Sequence, residues 1–135
     1  GIPVSDLDRG IVDYFAGQYD VGLVALDRYI QENPTHDGTA SYYRALTLRE
    51  LIRTQDAILA FDNFIKAYPA HPRWTDAWEQ KGFLEWAVQG EYEAGAKTFI
   101  DFVATVPTSS AAPNFPVGRS HRPRRFPSFA LRRWR

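Results

Sequence analysis

The chain has 135 residues, 44% of them apolar and 15% aromatic, enough for one folded unit with a core of its own. It contains no cysteine, which excludes a disulfide framework, a thiolate metal site and a thiol nucleophile, and no apolar run reaches the ~18 residues of a membrane span. The net charge of zero conceals an uneven distribution: residues 1–107 hold all 16 Asp and Glu against nine Lys and Arg, while residues 108–135 hold seven Arg and no acid.

In chain order, Leu7, Ile11 and Tyr14 recur at helical spacing behind Ser5 or Asp6, either of which can accept the unpaired amide hydrogens of a helix start. Gly17 stops that helix. A second is predicted over residues 19–32, with Leu23, Leu26, Tyr29 and Ile30 on one face, and Pro34 ends it because the residue before a proline avoids the helical region. Residues 35–40 read as a turn. Helix three is expected over 41–53, with Tyr42, Ala45, Leu46 and Leu48 offering a face, and with Ile52 and Arg53 standing where the other first helices end in glycine. Residues 54–69 give helix four and 70–76 a longer connection. Helix five is expected over 76–89, where Trp78, Gly82, Phe83 and Trp86 fall three to four apart, and Gly90 closes it before helix six.

The second, fourth and sixth helices are copies of one pattern. Each carries a small residue (Gly22, Ala57, Gly95), a large apolar one four further on (Leu26, Phe61, Phe99), an aromatic three beyond that (Tyr29, Phe64, Phe102) and a closing proline (Pro34, Pro69, Pro107). The copies are offset by 35 and 38 residues, a recurrence that marks stacked repeats. Small residues recur on the first helices too, as Gly10, Ala45 and Gly82. Two helices approach closely only where a side chain is missing, so Gly10 is expected to face Gly22 across its own pair.

These positions, with the turn glycine and tyrosine at Gly17 and Tyr19 and again at Gly90 and Tyr92, resemble the tetratricopeptide repeat. Two departures stand out. Arg9, Arg44 and Lys81 occupy a place where the family has an apolar residue, and the third pair has one residue extra between Gly82 and Gly90. The resemblance implies an all-α fold, a solenoid of three antiparallel helix pairs (about 4–34, 35–69 and 70–107) wound as a right-handed superhelix and belonging to a longer array. The second-helix ending is similar to that of bacterial envelope versions: the Tol-Pal cell-division coordinator, outer-membrane assembly lipoproteins and lytic transglycosylase arms. That likeness leaves bacterial periplasm and cytoplasm both open as the compartment. Residues 108–135 break the pattern; this Arg- and Pro-rich stretch reads as an irregular basic tail, either a cap or not native.

No catalytic motif is present: there is no HExxH, no glycine-rich phosphate loop and no nucleophile elbow, so the chain is not expected to be an enzyme. His36 and His71 lie 35 apart at equivalent corners; two histidines without a third ligand seldom hold a metal, so neither a metal nor another cofactor is expected. By resemblance the first helices line a concave groove that binds a peptide or a partner's helix. Tyr14, Tyr42, Tyr43, Arg49, Glu79, Gln80, Phe83 and Trp86 are the candidate groove residues, aromatics as anchors and Arg for planar hydrogen bonding. Leu7, Tyr42 and Glu79 stand where chaperone-binding relatives carry a clamp lysine, so capture of a chaperone's C-terminus is not expected. Arg9, Arg44 and Lys81 form a basic ladder, open to an acidic peptide or to pairing with neighbouring carboxylates. Three partner readings follow: a protein in the groove, an anion or nucleic acid on the arginine tail, and a role as the non-catalytic helical arm of a cell-wall enzyme. Self-association through an uncapped solenoid end is open as well.

Overall fold

In a computed structural model, which describes residues 4–105, the chain is helical throughout: α1 Asp6–Phe15, α2 Tyr19–Glu32, α3 Thr39–Glu50, α4 Thr54–Ala67, α5 Trp74–Phe83 and α6 Tyr92–Thr105. No strand occurs among the described residues. The basic tail and Pro107 lie outside them. Two compact units divide between Ala77 and Trp78.

In the first unit α1 packs on α2, α2 on α3 and α3 on α4, and α1 also touches α3. The first helices of the two pairs are therefore neighbours, as stacking requires. Ser5 starts α1 by accepting the Asp8 amide at 3.1 Å, which supplies one of the bonds the first helical turn lacks. The pair closes through its small residues. A Cβ on Gly10 would come within 2.5 Å of Leu26, and one on Gly22 would lie 3.3 Å from the Gly10 carbonyl oxygen. In the second pair Ala45 and Ala57, both fully buried, take those places. Phe61, Phe64, Leu26 and Leu48 form the centre of the unit, each almost wholly removed from solvent.

Several boundaries differ from the pattern. Helix α3 begins at Thr39 rather than Ser41, because Asp37 accepts the Thr39 amide at 2.9 Å and Gly38, with φ of 102°, turns the chain into the helix. It ends at Glu50, since Ile52 adopts φ of 61°. Ile52 thus holds the left-handed conformation that Gly17 and Gly90 hold at the other first-helix ends. The Arg53 amide donates to the Leu48 carbonyl, as the Gln18 amide does to Asp13, so the same C-terminal lock is built around a β-branched residue. Helix α5 begins two residues ahead of expectation, at Trp74, whose indole Nε1 donates to the Ile65 carbonyl at 2.9 Å.

In the second unit the helix does not run on to Gln89 in α geometry. Past Phe83 it widens into a π turn over Leu84–Val88, closed by the Gln89 amide on the Leu84 carbonyl at 2.9 Å. Here lies the extra residue between Gly82 and Gly90: a one-residue insertion in a helix is housed by i→i+5 bonding. The π turn packs on α6. Phe99 lies directly against Gly82, where a Cβ would sit 2.5 Å from its ring, and Gly95 approaches the Gly82 carbonyl as Gly22 approaches that of Gly10. Thr98, nearly fully buried, donates its hydroxyl to the Glu85 carboxylate.

Candidate functional site

Because α1 and α3 are neighbours, the residues near their ends come together in the first unit. Tyr14 meets Tyr43 edge-on at 5.7 Å and Phe15 at 5.1 Å, and Phe15 in turn meets Tyr43 at 6.0 Å. Arg49 ties the cluster down by donating from Nη2 to the Tyr14 hydroxyl at 3.1 Å and from Nε to Glu50 at 3.0 Å. Burial pushes the Tyr14 phenol above its ordinary value, with Arg49 pulling the other way. Phe15 is 70% exposed and Val12, one turn before it, 63% exposed. The result is an apolar ledge on solvent, backed by rings held in fixed orientation. Rigid aromatic surface of this kind loses little entropy when a partner covers it.

Beyond Tyr43 the ledge opens into a hollow of about 590 Å³, lined by Thr39, Tyr42, Tyr43, Tyr68, His71 and Arg73 among others. A second hollow, about 770 Å³, lies between α2 and α4 along Asp27, Ile30, Arg44, Ala60 and Asn63. Among the described residues no group of three His, Asp or Glu could hold a metal ion, and no helix is long and apolar enough to cross a membrane.

Of the eight groove candidates, the structure gathers Tyr14, Tyr43 and Arg49 at the ledge. Tyr42 adjoins Tyr43 but turns inward: it is 6% exposed and packs on Phe61, Phe64 and His71. Its phenol is raised far above its usual value by burial and by Asp76 nearby. Glu79 and Trp86 are likewise buried, against the expectation that they line an open groove. The reason at Trp86 is the close approach of α6, which brings Phe99 into one cluster with it and places Tyr92 at 5.7 Å. Gln80 and Phe83 are half-buried. Of the basic ladder, Arg44 reaches Asp27 at 2.6 Å, Lys81 lies 6.0 Å from the Trp78 ring centroid, and Arg9 is exposed.

The hairpin of α3 and α4 carries the paired alanines, the buried Phe61 and Phe64 and the closing Pro69 of the pattern, with Ile52 in place of the turn glycine. Residues 39–71 match a tetratricopeptide repeat model. Tetratricopeptide repeats generally mediate protein–protein interaction and are typically non-catalytic modules. No curated protein matches the chain.

The matched repeat runs from the first residue of α3 to His71, and the ledge is built where its first helix meets α1. Phe15 and Val12 escaped the sequence pattern because they fall off the Leu7, Ile11, Tyr14 stripe. Their signal was available as apolar residues at the end of a short helix with no core position to fill.

Proposed function

We propose that the chain is a protein-interaction scaffold whose first two helix pairs grip a peptide or partner helix on the Val12, Phe15 and Tyr43 ledge, with the hollow beside Tyr43 taking a side chain of the partner. The observation that carries this reading is the exposure of Phe15 on a braced aromatic cluster. A lone exposed phenylalanine needs no explanation, but one held edge-on by two tyrosines, of which Tyr14 is bonded by Arg49, is preorganised for contact. In the first unit this reading takes Tyr14, Tyr43 and Arg49 from the candidate residues and joins Phe15 and Val12 to them. In the second unit Gln80 and Phe83 are the candidates left with exposed surface. The likeness of the helix endings to bacterial envelope arrays supports a place for the chain beside cell-wall or outer-membrane assembly machinery.

The test is affinity capture from a bacterial envelope extract with the wild-type chain, Phe15→Ala, and Leu59→Ala as a control. Leu59 is also exposed, at 59%, but lies on α4. Truncating an interface anchor costs ~2 kcal/mol or more, about a thirtyfold loss of affinity, so partners should be lost with Phe15→Ala and kept with Leu59→Ala. Equal recovery by all three would refute the ledge.

A further inference from the structure

The two equivalent corners, Pro34-Thr35-His36 and Pro69-Ala70-His71, use their histidines in the same way. The Gly38 amide donates to His36 Nδ1 at 3.1 Å, and the Arg73 amide donates to His71 Nδ1 at 3.0 Å. In each case the ring accepts from the amide two residues on, the role an Asx side chain plays in a turn. A neutral imidazole that accepts at Nδ1 carries its proton at Nε2, and both Nε2 atoms have acceptors on the other corner. His36 Nε2 stands 3.2 Å from the Tyr68 hydroxyl, and His71 Nε2 stands 3.0 Å from the Thr39 hydroxyl. His36, at the exit of the first helix pair, thus reaches the exit of the second; His71, at the exit of the second, reaches back to its entry. The Tyr68 ring lies directly against Gly38, where a Cβ would meet it at 2.6 Å, which brings the two corners together.

We propose that this reciprocal brace holds only while both rings are neutral, so that the closure of the 35–69 helix pair, its entry at His36 and Thr39 against its exit at Tyr68 and His71, loosens on acidification. Protonating either ring turns Nδ1 from acceptor into donor and sets it against a backbone N–H. The corner then loses one hydrogen bond and leaves an amide without an acceptor. The groups around His71 do not reverse this. The rings of Phe64 and Tyr42 face it at 5.1 and 6.5 Å; the Arg73 charge disfavours the cation, and the Asp37 carboxylate favours it. Desolvation is the largest influence and holds His71 below the ordinary histidine value. Asp37 is itself committed to the Thr39 amide, and Asp76 to Arg73 at 3.1 Å. His36 is faced by the Tyr29 ring at 6.3 Å and the Tyr68 ring at 5.5 Å, and the Asp37 carboxylate, bonded to the Thr39 amide, acts on it as it does on His71.

The sign is fixed by linkage. A histidine whose folded pKa is depressed contributes stability that is full above the unfolded value of ~6.5 and is lost progressively as pH falls from there toward the folded value. Urea unfolding of the full chain between pH 7.5 and 5.5 should therefore show wild type losing about tenfold in its folding constant for each pKa unit of depression. His36→Asn/His71→Asn keeps an acceptor for each amide but cannot titrate, and should be nearly flat over the same window. Equal pH slopes in the two chains would overturn the brace. Should the double variant fail to fold, imidazole ¹⁵N shifts of the wild type decide. Both rings as Nε2–H tautomers at pH 7.5, with His71 titrating below ~6.5, support the brace; an Nδ1–H tautomer at either ring, or His71 titrating at or above that value, overturns it.

Discussion

Phe61 and Phe15 sit in the same unit with opposite surroundings, and truncating each to alanine separates the fold from its surface. Phe61 is fully buried and meets the Tyr42 ring at 6.1 Å. Removing it forfeits the transfer free energy of a whole aromatic side chain and leaves a cavity that α3 and α4 cannot close, a combined cost of ~3–5 kcal/mol. Phe15 keeps 70% of its surface in water, so less than a third of the ~1.5–3 kcal/mol of full burial is at stake, under about 1 kcal/mol. Against a total stability of ~5–15 kcal/mol for a domain of this size, the first change removes a large share and the second almost none. Urea denaturation followed by far-UV circular dichroism, with amide exchange in α3 and α4 to localise the loss, measures both. A cost below 1 kcal/mol for Phe61→Ala would sink the stacked-pair packing, and a Phe15→Ala cost equal to that of Phe61→Ala would show that the ledge belongs to the core.

Three further outcomes are expected. Ile52→Asn should raise stability by about 0.5–1 kcal/mol, because asparagine enters the left-handed region at lower cost than a β-branched residue and Ile52, 80% exposed, surrenders little burial; the urea midpoint reads it. Gly38→Ala should cost at least ~2 kcal/mol, since φ of 102° strains any L side chain and the new Cβ would strike the Tyr68 ring; the same titration checks it, and a neutral result would mean that Tyr68 moves freely. The Tyr42 phenol, raised by burial, should stay protonated at pH 11 in the folded chain and ionise only with unfolding, which the ultraviolet difference spectrum reports.

Helix α2 was legible from the sequence to the residue because its whole pattern is local: an apolar stripe bounded by a glycine turn and a proline. The pairing of Gly10 with Gly22 was legible because a missing side chain has one physical use at a helix crossing. The ends of α3 and α5 were not, since each is set by a polar contact: Asp37 on the Thr39 amide and the Trp74 indole on the Ile65 carbonyl. Burial at Tyr42, Glu79 and Trp86 escaped for a related reason. Helix α3 has neighbours on both sides, α2 and α4, Trp86 is covered by Phe99 and Tyr92 of α6, and a stripe in the sequence does not say which side chain points inward. The insertion before Gly90 was visible as a count, but a count does not tell whether a loop or a helix absorbs it.

The π turn answers that, and its consequence reaches past the turn itself. Gly22 lies 12 positions after Gly10, and Gly95 lies 13 after Gly82, yet a Cβ placed on the later glycine would meet the carbonyl oxygen of the earlier one at nearly the same distance in both pairs, 3.3 and 3.2 Å. The widened turn stores the surplus residue within the helix and hands the chain on unshifted. What is preserved between these helix pairs is thus a set of touching points, and the number of residues strung between them is free to drift by one.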